Sequence, residues 1–173
     1  MKLTDPRVTS TVALVAITVW IGGLLALGAI VAPLVFAAIP RDLAASTMAV
    51  VFARFDKVAM AAAAIVLATE ALRARASMDP SRPNVARVGV SVVLVALAVL
   101  EGLWVTPTIA RLHAEGAVRG VGEAGMALAS AHSLAEALGK AEALLAVVLI
   151  ALHMATLAPS RSSAKPASGP ANA

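Results

Sequence analysis

The chain has 173 residues, of which 60% are hydrophobic and only 14% charged, with a formal net charge of +4 and a mean hydropathy of +0.90. A soluble globular domain usually has about 45–50% apolar and about 25% charged residues, so this composition indicates a membrane protein. The chain has no cysteine, which excludes disulfides, thiolate metal sites and cysteine nucleophiles. Aromatic residues, which stack on bases in nucleic-acid sites, make up only 3%, and we expect no nucleic-acid partner.

Four predicted membrane spans follow one another along the chain. Crossing a hydrocarbon core about 30 Å thick takes roughly 20 apolar residues in a helix, and the apolar runs predict spans at about 8–36, 58–74, 88–107 and 134–157. Asp5 and Pro6 supply an N-cap and a first-turn proline for the first span. Its apolar run exceeds the roughly 7–15 residues of a signal peptide, so we predict that it is retained. Because a backbone in lipid must bond internally, we predict an all-α, polytopic membrane four-helix bundle.

Two further segments complete the predicted organisation. In residues 41–56, apolar side chains recur at helical spacing, which predicts an amphipathic helix at the outer membrane interface; a long, tilted second helix is the alternative. Residues 159–173 are small and polar and include prolines, which predicts a disordered tail. The four-helix transmembrane domain is therefore predicted to comprise residues 1–158.

Lysine and arginine residues in the loops indicate the orientation. With the N-terminus inside, eight basic residues lie on the inner side and five on the outer side, which favours both termini in the cytoplasm and a multi-pass protein of the bacterial inner membrane. The inner residues are Lys2, Arg7, Arg73, Arg75, Arg82, Arg87, Arg161 and Lys165, and the outer ones are Arg41, Arg54, Lys57, Arg111 and Arg119. The basic segment 74–87 is expected to face anionic membrane lipid.

A weak internal similarity links the first and third spans. The stretch LGAIVAPLV, residues 27–35, aligns with EGLWVTPTI, residues 101–109, with glycine, valine and proline in register. A parallel repeat of two helical hairpins would produce this pattern. Chance similarity between two apolar segments would produce it as well.

Ionisable residues inside the predicted spans are costly and by default raise a functional hypothesis. They are Glu70, Glu101, Glu136, Lys140, Glu142 and His153. At 1.5 Å per residue, Glu101 and Lys140 reach similar depths, which predicts an interhelical ion pair. Glu70 is predicted to pair with His153, and Glu136 with Lys140 at the i, i+4 spacing. Two interpretations follow: a proton or ion path lined by Glu101, Lys140 and Glu142, or pairs that hold the bundle in register.

Histidine positions bear on haem and metal binding. Haem ligation by two histidines needs them at matched depth on facing helices, and His153 has no such partner because His113 and His132 belong to the outer side. Those two could share a metal at the outer surface, but no third ligand follows at metal-site spacing. We therefore predict neither a cofactor nor a metal.

Several motifs together resemble a known family of small four-helix membrane proteins. They are WIGGLLALGAIVAPLVF, VFARFDKV, TPTIARLHAEG and MALASAHSLAEAL. They resemble the domain-of-unknown-function 4149 family, which groups bacterial proteins with the eukaryotic transmembrane protein 205. The motif positions are Trp20, Gly22, Gly23, Pro33, Phe36, Phe52, Arg54, Pro107, His132 and Ser133. The resemblance covers about residues 8–157 and implies a fold and a membrane location, since the family has no established reaction.

Two departures qualify what these motifs imply. After the histidine, the family's fourth helix tends to carry a serine and an asparagine, whereas this chain has Ala135, Glu136 and Gly139. Copper-resistance and haem-handling membrane domains also contain Trp-x-Gly-Gly, but their motif has a histidine about two turns earlier, where this chain has Ala13. A haem- or copper-handling protein is therefore the second alternative.

The opening motif is expected to serve helix packing. The pairs Gly22–Ala26 and Gly28–Ala32 form small-xxx-small faces that allow a neighbouring helix to approach closely. We expect Trp20 to pack within the bundle. The resulting prediction is a non-enzymatic integral membrane protein, an accessory or scaffold in contact with lipid and with another membrane protein. A small proton- or ion-coupled transporter is the first alternative.

Overall fold

The computed structural model describes residues 5–76 and 82–157, and within them every regular element is helical. There are four long helices: α1 Pro6–Ala38, α2 Arg41–Ala76, α3 over residues 82–114 and α4 Gly122–Leu157. The all-α fold with four helices is thus confirmed. The predicted disordered tail, residues 159–173, lies outside the described residues.

The four helices form one bundle. Each helix packs against the next along the chain, and α4 returns to pack against α1. Short connections make consecutive helices antiparallel. We call the end near residues 6, 76, 82 and 157 the terminal end, and the end near residues 38–41 and 114–122 the loop end. Helices of 33 to 36 residues are about 50 Å long at 1.5 Å per residue, which exceeds a hydrocarbon core of about 30 Å.

Three of the four helices are long and apolar enough to cross a membrane: Pro6–Ala38, Asn84–Ala114 and Gly122–Thr156. They contain the first, third and fourth predicted spans. The second predicted span, 58–74, lies in α2, which has the length but carries too many charged residues to reach the same hydropathy. Three of those charged residues, Asp56, Glu70 and Arg73, lie in polar clusters inside the bundle.

Residues 41–56 do not form a separate helix. They are helical, as predicted, but they continue without a break to Ala76. The prediction of a separate interfacial helix is therefore wrong, and the alternative, a long second helix, is what the structure shows. The physical reason is that the segment 41–76 contains neither glycine nor proline, so nothing interrupts the backbone ladder at the charged stretch Arg54–Lys57.

Helices α1 and α3 each contain a π-helical turn, at Leu27–Val31 and Glu101–Val105. In each, the residue after the turn donates its N–H to a carbonyl five residues back, Ala32 to Leu27 and Thr106 to Glu101. The following residue is a proline, which has no N–H and whose ring would clash with the carbonyl four residues earlier in a regular helix. The wider turn relieves that clash, so the helix continues past the proline.

These turns carry both helices past their prolines. The first and third predicted spans end at 36 and 107, yet α1 continues to Ala38 and α3 to Ala114. The two aligned stretches LGAIVAPLV and EGLWVTPTI adopt the same π turn followed by the same proline. Because each turn has a local cause in its own proline, this agreement leaves both interpretations of the alignment open.

A core of small and branched side chains fills the bundle between the four helices. Its largest members are Trp20, Ile17, Leu94 and Leu149, and all four are at most 1% exposed. Alanines supply much of the remainder, which lets the helices approach closely. A second group of buried residues, at the loop end between α3 and α4, comprises Val105, Ile109, Leu112, Leu128 and Leu138.

Candidate functional site

Two polar clusters interrupt the apolar interior. The first, which we call the paired cluster, lies near the terminal end and centres on a buried ion pair. Arg87 on α3 donates from Nε to Oε1 of Glu70 at 2.8 Å and from Nη2 to Oε2 at 3.0 Å. Its Nη1 donates to Asn84 at 2.7 Å. Both charged side chains are about 95% buried, and the bidentate geometry fixes α2 against α3.

Helices α1 and α4 join the paired cluster through Arg73 and His153. Arg73 donates to the hydroxyl of Ser10 on α1 and, at 3.4 Å, to that of Thr156 on α4. His153 is fully buried with its Nε2 3.6 Å from Oε1 of Glu70, and neither ring nitrogen has a hydrogen-bond partner within the described part of the chain. The predicted contact between Glu70 and His153 is confirmed, although Arg87 is the closer partner of the carboxylate.

The second cluster, which we call the carboxyl cluster, lies near the middle of the bundle. It consists of Asp56 on α2, Glu101 at the start of the α3 π turn and Glu142 on α4, with Trp20 on α1. The indole Nε1 of Trp20 donates to Oε2 of Glu142 at 3.2 Å, and both side chains are almost fully buried. The side chains of Glu101 and Glu142 line the same small cavity. Oδ2 of Asp56 is buried and has no hydrogen-bond partner among the described residues.

The carboxyl cluster opens onto a small cavity. The volume that the centre of a water molecule can occupy in this cavity is about 10 Å³, which gives room for about one water. The lining residues are Leu24, Phe52, Phe55, Asp56, Ala59, Ala98, Glu101 and Glu142. None of the ion pairs found among the described residues includes any of the three carboxyl groups. In the described ranges no three histidine or acidic side chains are arranged to hold a metal ion.

The predicted ion pair between Glu101 and Lys140 is wrong. Lys140 is exposed on the outside of α4, where its Nζ donates to Glu136 at 2.6 Å. That i, i+4 pair was predicted and is confirmed. Depth along the bundle was estimated correctly, but the rotation of α4 was not: Glu142, two residues further on, faces the interior in place of Lys140. A path lined by Glu101, Lys140 and Glu142 together is therefore not what the bundle contains.

The remaining histidines meet at the loop end. The rings of His113 and His132 contact each other edge to face, with centroids 5.7 Å apart. Both side chains are half-buried. The sequence placed them on the same side of the membrane, and the structure makes them neighbours.

The glycines of the opening motif have different roles from those predicted. A Cβ added at Gly23 would lie 2.3 Å from the ring of Phe55, so this glycine admits the aromatic side chain of α2. At Gly22 and Gly28 the added atom would meet nothing within 4 Å. The expectation that these two glycines let helices of the bundle approach closely is therefore wrong, because their surfaces point outwards. Trp20 packs within the bundle, as predicted.

The other motif residues divide by exposure. Phe52 lines the cavity of the carboxyl cluster. Those that are exposed are Pro33, Phe36, Arg54, Pro107 and Ser133. Among the described residues, no hydrogen bond or ion pair joins any of these five side chains to either polar cluster.

Sequence reasoning missed Asp56, Arg73 and Arg87, which had been assigned to segments outside the membrane. A signal for two of them was present. Asp56 and Glu70 are 14 residues apart on α2, and Arg87 and Glu101 are 14 apart on α3. Fourteen residues are close to four helical turns, so each pair lies on nearly the same face of its helix.

Comparison with known proteins gives one match. Residues 15–118 match the family model described as "Domain of unknown function (DUF4149)", which is more than half of the chain. No curated protein and no solved structure matches the chain significantly. The matched range includes Trp20, Asp56, Arg87 and Glu101, whereas all of α4, with Glu142 and His153, lies beyond it.

Proposed function

The chain belongs to the DUF4149 family, and on that premise we propose that it is a non-enzymatic accessory protein of the bacterial inner membrane that binds another membrane protein through α1. This proposal rests on the composition and the exposure of the segment Leu27–Ala38. All twelve residues are uncharged and none is buried. Outside α1 itself, this stretch packs mainly against α2.

The composition of this stretch favours a protein partner over lipid alone. It contains Gly28, Ala29, Ala32, Ala37 and Ala38, small residues of the kind that allow close approach of a second helix. Gly28 has open space around it. Large aliphatic side chains such as Ile30 and Leu34 stand between these small residues and are about 60% exposed. Together they form an uneven surface into which a partner helix can pack.

The interior of the bundle supports an accessory role over a transporter. The two polar clusters are about 20 Å apart along the axis, from 14 residues at 1.5 Å each. Between them the buried side chains of the described helices are apolar, apart from Ser91 and Thr69. Their hydroxyls donate to carbonyls of their own helices, Ser91 to Arg87 and Thr69 to Val66. A chain of polar groups through the bundle, which a proton or ion path needs, is not formed by these residues.

The orientation belongs to the same proposal. An even number of antiparallel helices brings residues 6 and 157 to one end, which carries the larger share of basic residues. We assign this end to the cytoplasm. Because the chain has no cysteine, one introduced at Glu115 should react in intact spheroplasts with a membrane-impermeant maleimide, and one at Arg7 should react only after lysis. The reverse pattern would overturn the orientation.

The partner proposal is tested by photo-crosslinking in the native membrane. A photoreactive amino acid at Ile30 is expected to give a protein adduct of defined mass, whereas the same amino acid at Val93, which is 49% exposed on α3, gives none. Gly28→Leu, combined with the probe at Ile30, should remove the adduct. Since the bundle has space at Gly28, the loss reports on the partner and not on folding.

Two outcomes contradict the proposal. Equal protein adducts from Ile30 and Val93 would mean that α1 has no preferred partner. Lipid adducts alone from Ile30, in membranes from the native organism, would mean that this surface simply faces the bilayer.

A further inference from the structure

The carboxyl cluster has a chemical property that the accessory role does not use. Asp56, Glu101 and Glu142 come from three helices and meet near the middle of a membrane bundle, with no cation paired to any of them in the described part of the chain. Trp20 faces them from α1 and is not titratable. Three ionised carboxylates confined together would repel one another and would lose their hydration. Positive charge must therefore enter the cavity from outside the protein.

The cavity that Glu101 and Glu142 share indicates in what form that charge is held. Both side chains line this space, and an ionised carboxylate only accepts hydrogen bonds. A direct hydrogen bond between the two carboxyl groups therefore requires a proton on one of them.

Glu142 provides an independent observation. Its side chain is 97% buried, yet its Oε1 has no donor among the described residues, while Oε2 is occupied by the indole of Trp20. Oδ2 of Asp56 is likewise without a donor. Both side chains line the cavity, which has room for about one water molecule. Unfilled acceptors around a space of that size fit a proton and a water, and the described groups do not offer a three-ligand metal site.

Local helix structure places the cluster. Glu101 opens the π turn of α3, and a Cβ at the next residue, Gly102, would lie 3.6 Å from the Cβ of Asp56. That distance is an ordinary van der Waals contact, so α2 and α3 lie close together where the two acids face the cavity. π turns inside helices are frequent at functional sites.

We infer that the cavity between Asp56, Glu101 and Glu142 is a proton-binding site, in which these carboxyl groups share protons with one another and with a bound water. The ligand class is the proton, not a metal ion or an organic substrate. Uptake and release at this site change the charge in the centre of the bundle.

Labelling with dicyclohexylcarbodiimide tests the site, because this reagent adds to protonated carboxyl groups in apolar surroundings. With the full chain in liposomes at neutral pH, mass spectrometry should find the label on Glu101 or Glu142. Once the pH is high enough to deprotonate the site, labelling should fall about tenfold per pH unit. The internal control is Glu136, which is exposed and paired with Lys140 and should remain unlabelled.

Infrared spectroscopy supplies a second measurement that does not depend on reagent access. The protonated-carboxyl band at neutral pH should be present in the wild type and absent in the double variant Glu101→Gln, Glu142→Gln. Absence of both the label and the band from the wild type would overturn the inference. Labelling that sodium chloride suppresses but choline chloride does not would also overturn it, because the site would then bind sodium.

Discussion

The paired cluster and the carboxyl cluster use the same four helices but treat buried charge in opposite ways. Near the terminal end, the carboxylate of Glu70 has a bidentate guanidinium partner in Arg87. Near the middle, Glu142 has only an indole N–H and the neighbouring acids. The paired cluster supplies its own counter-charge, whereas the carboxyl cluster must obtain it from outside.

This difference has a direct consequence for substitution. A group with a built-in ionic partner cannot be neutralised without leaving that partner buried and unpaired. A group that already shares a proton can be replaced by an amide with little electrostatic change. The same change, glutamate to glutamine, should therefore have a large effect in one cluster and almost none in the other.

The largest effect is expected in the paired cluster. Glu70→Gln leaves the Arg87 guanidinium buried without a carboxylate, and Arg87→Met leaves the Glu70 carboxylate without its bidentate partner. Each should lower the free energy of unfolding by about 3–5 kcal/mol, measured by denaturant unfolding in detergent micelles. The double variant should recover much of the loss, because it removes both members of the buried ion pair.

A matched control is available on the surface of the same bundle. Glu136→Gln breaks the exposed pair with Lys140 and should leave the unfolding transition unchanged. If Glu70→Gln also left the unfolding transition unchanged, the distinction between a paired and an unpaired cluster would have no energetic basis.

The next effect concerns the packing of Phe55, which lines the cavity of the carboxyl cluster. Gly23→Ala places a methyl group 2.3 Å from the ring of Phe55, which must move within a cavity wall that it shares with the carboxyl cluster. We expect a loss of about 1–3 kcal/mol from this overpacking. Gly22→Ala, one residue earlier in the same helix, meets nothing within 4 Å and should be neutral or stabilising by up to about 1 kcal/mol. Thermal unfolding of the two variants side by side checks this; equal midpoints would contradict it.

Features with a local cause were predictable from sequence. Long apolar runs indicated the helices, and the i, i+4 spacing indicated the pair of Glu136 and Lys140. The uninterrupted α2 was one of two interpretations, and the absence of glycine and proline from 41–76 decides between them. The two aligned stretches marked the positions of the π turns, because each contains a proline inside an apolar run. The π turns themselves were not predicted, because one extra residue in a helical turn does not change a hydrophobic pattern visibly.

What depends on helix rotation was not predictable. Glu142 and Lys140 differ by two residues, or about 200° around α4, and both lie in an apolar sequence whose pattern does not mark the inner face. Without that rotation, Lys140 looked like the partner of Glu101. Arg87 and Asp56 were missed because charged residues near predicted span ends were read as lying outside the membrane, whereas the helices extend well beyond the predicted boundaries.

A smaller effect should follow from removing the indole N–H that Trp20 offers to the carboxyl cluster. Trp20→Phe keeps an aromatic ring in the core but removes the N–H that bonds to Oε2 of Glu142 at 3.2 Å. Loss of one such hydrogen bond costs about 0.5–1.5 kcal/mol. Denaturant unfolding measures the loss, and combining Trp20→Phe with Glu142→Leu should show non-additivity, since both changes remove the same bond. Strict additivity would mean that the indole acts only by filling space.

The smallest effect is the most informative for the comparison. Glu142→Gln preserves a carbonyl oxygen that accepts from Trp20 and adds an amide that can donate into the cavity it shares with Glu101. The hydrogen bonds open to a protonated carboxyl group therefore remain open to the amide. We expect the free energy of unfolding at neutral pH to change by less than about 0.5 kcal/mol, within the range of substitutions that leave special features intact. The measurement is the same denaturant titration used for Glu70→Gln. A loss of several kcal/mol would mean that Glu142 is ionised against a cation, and the two clusters would then be alike.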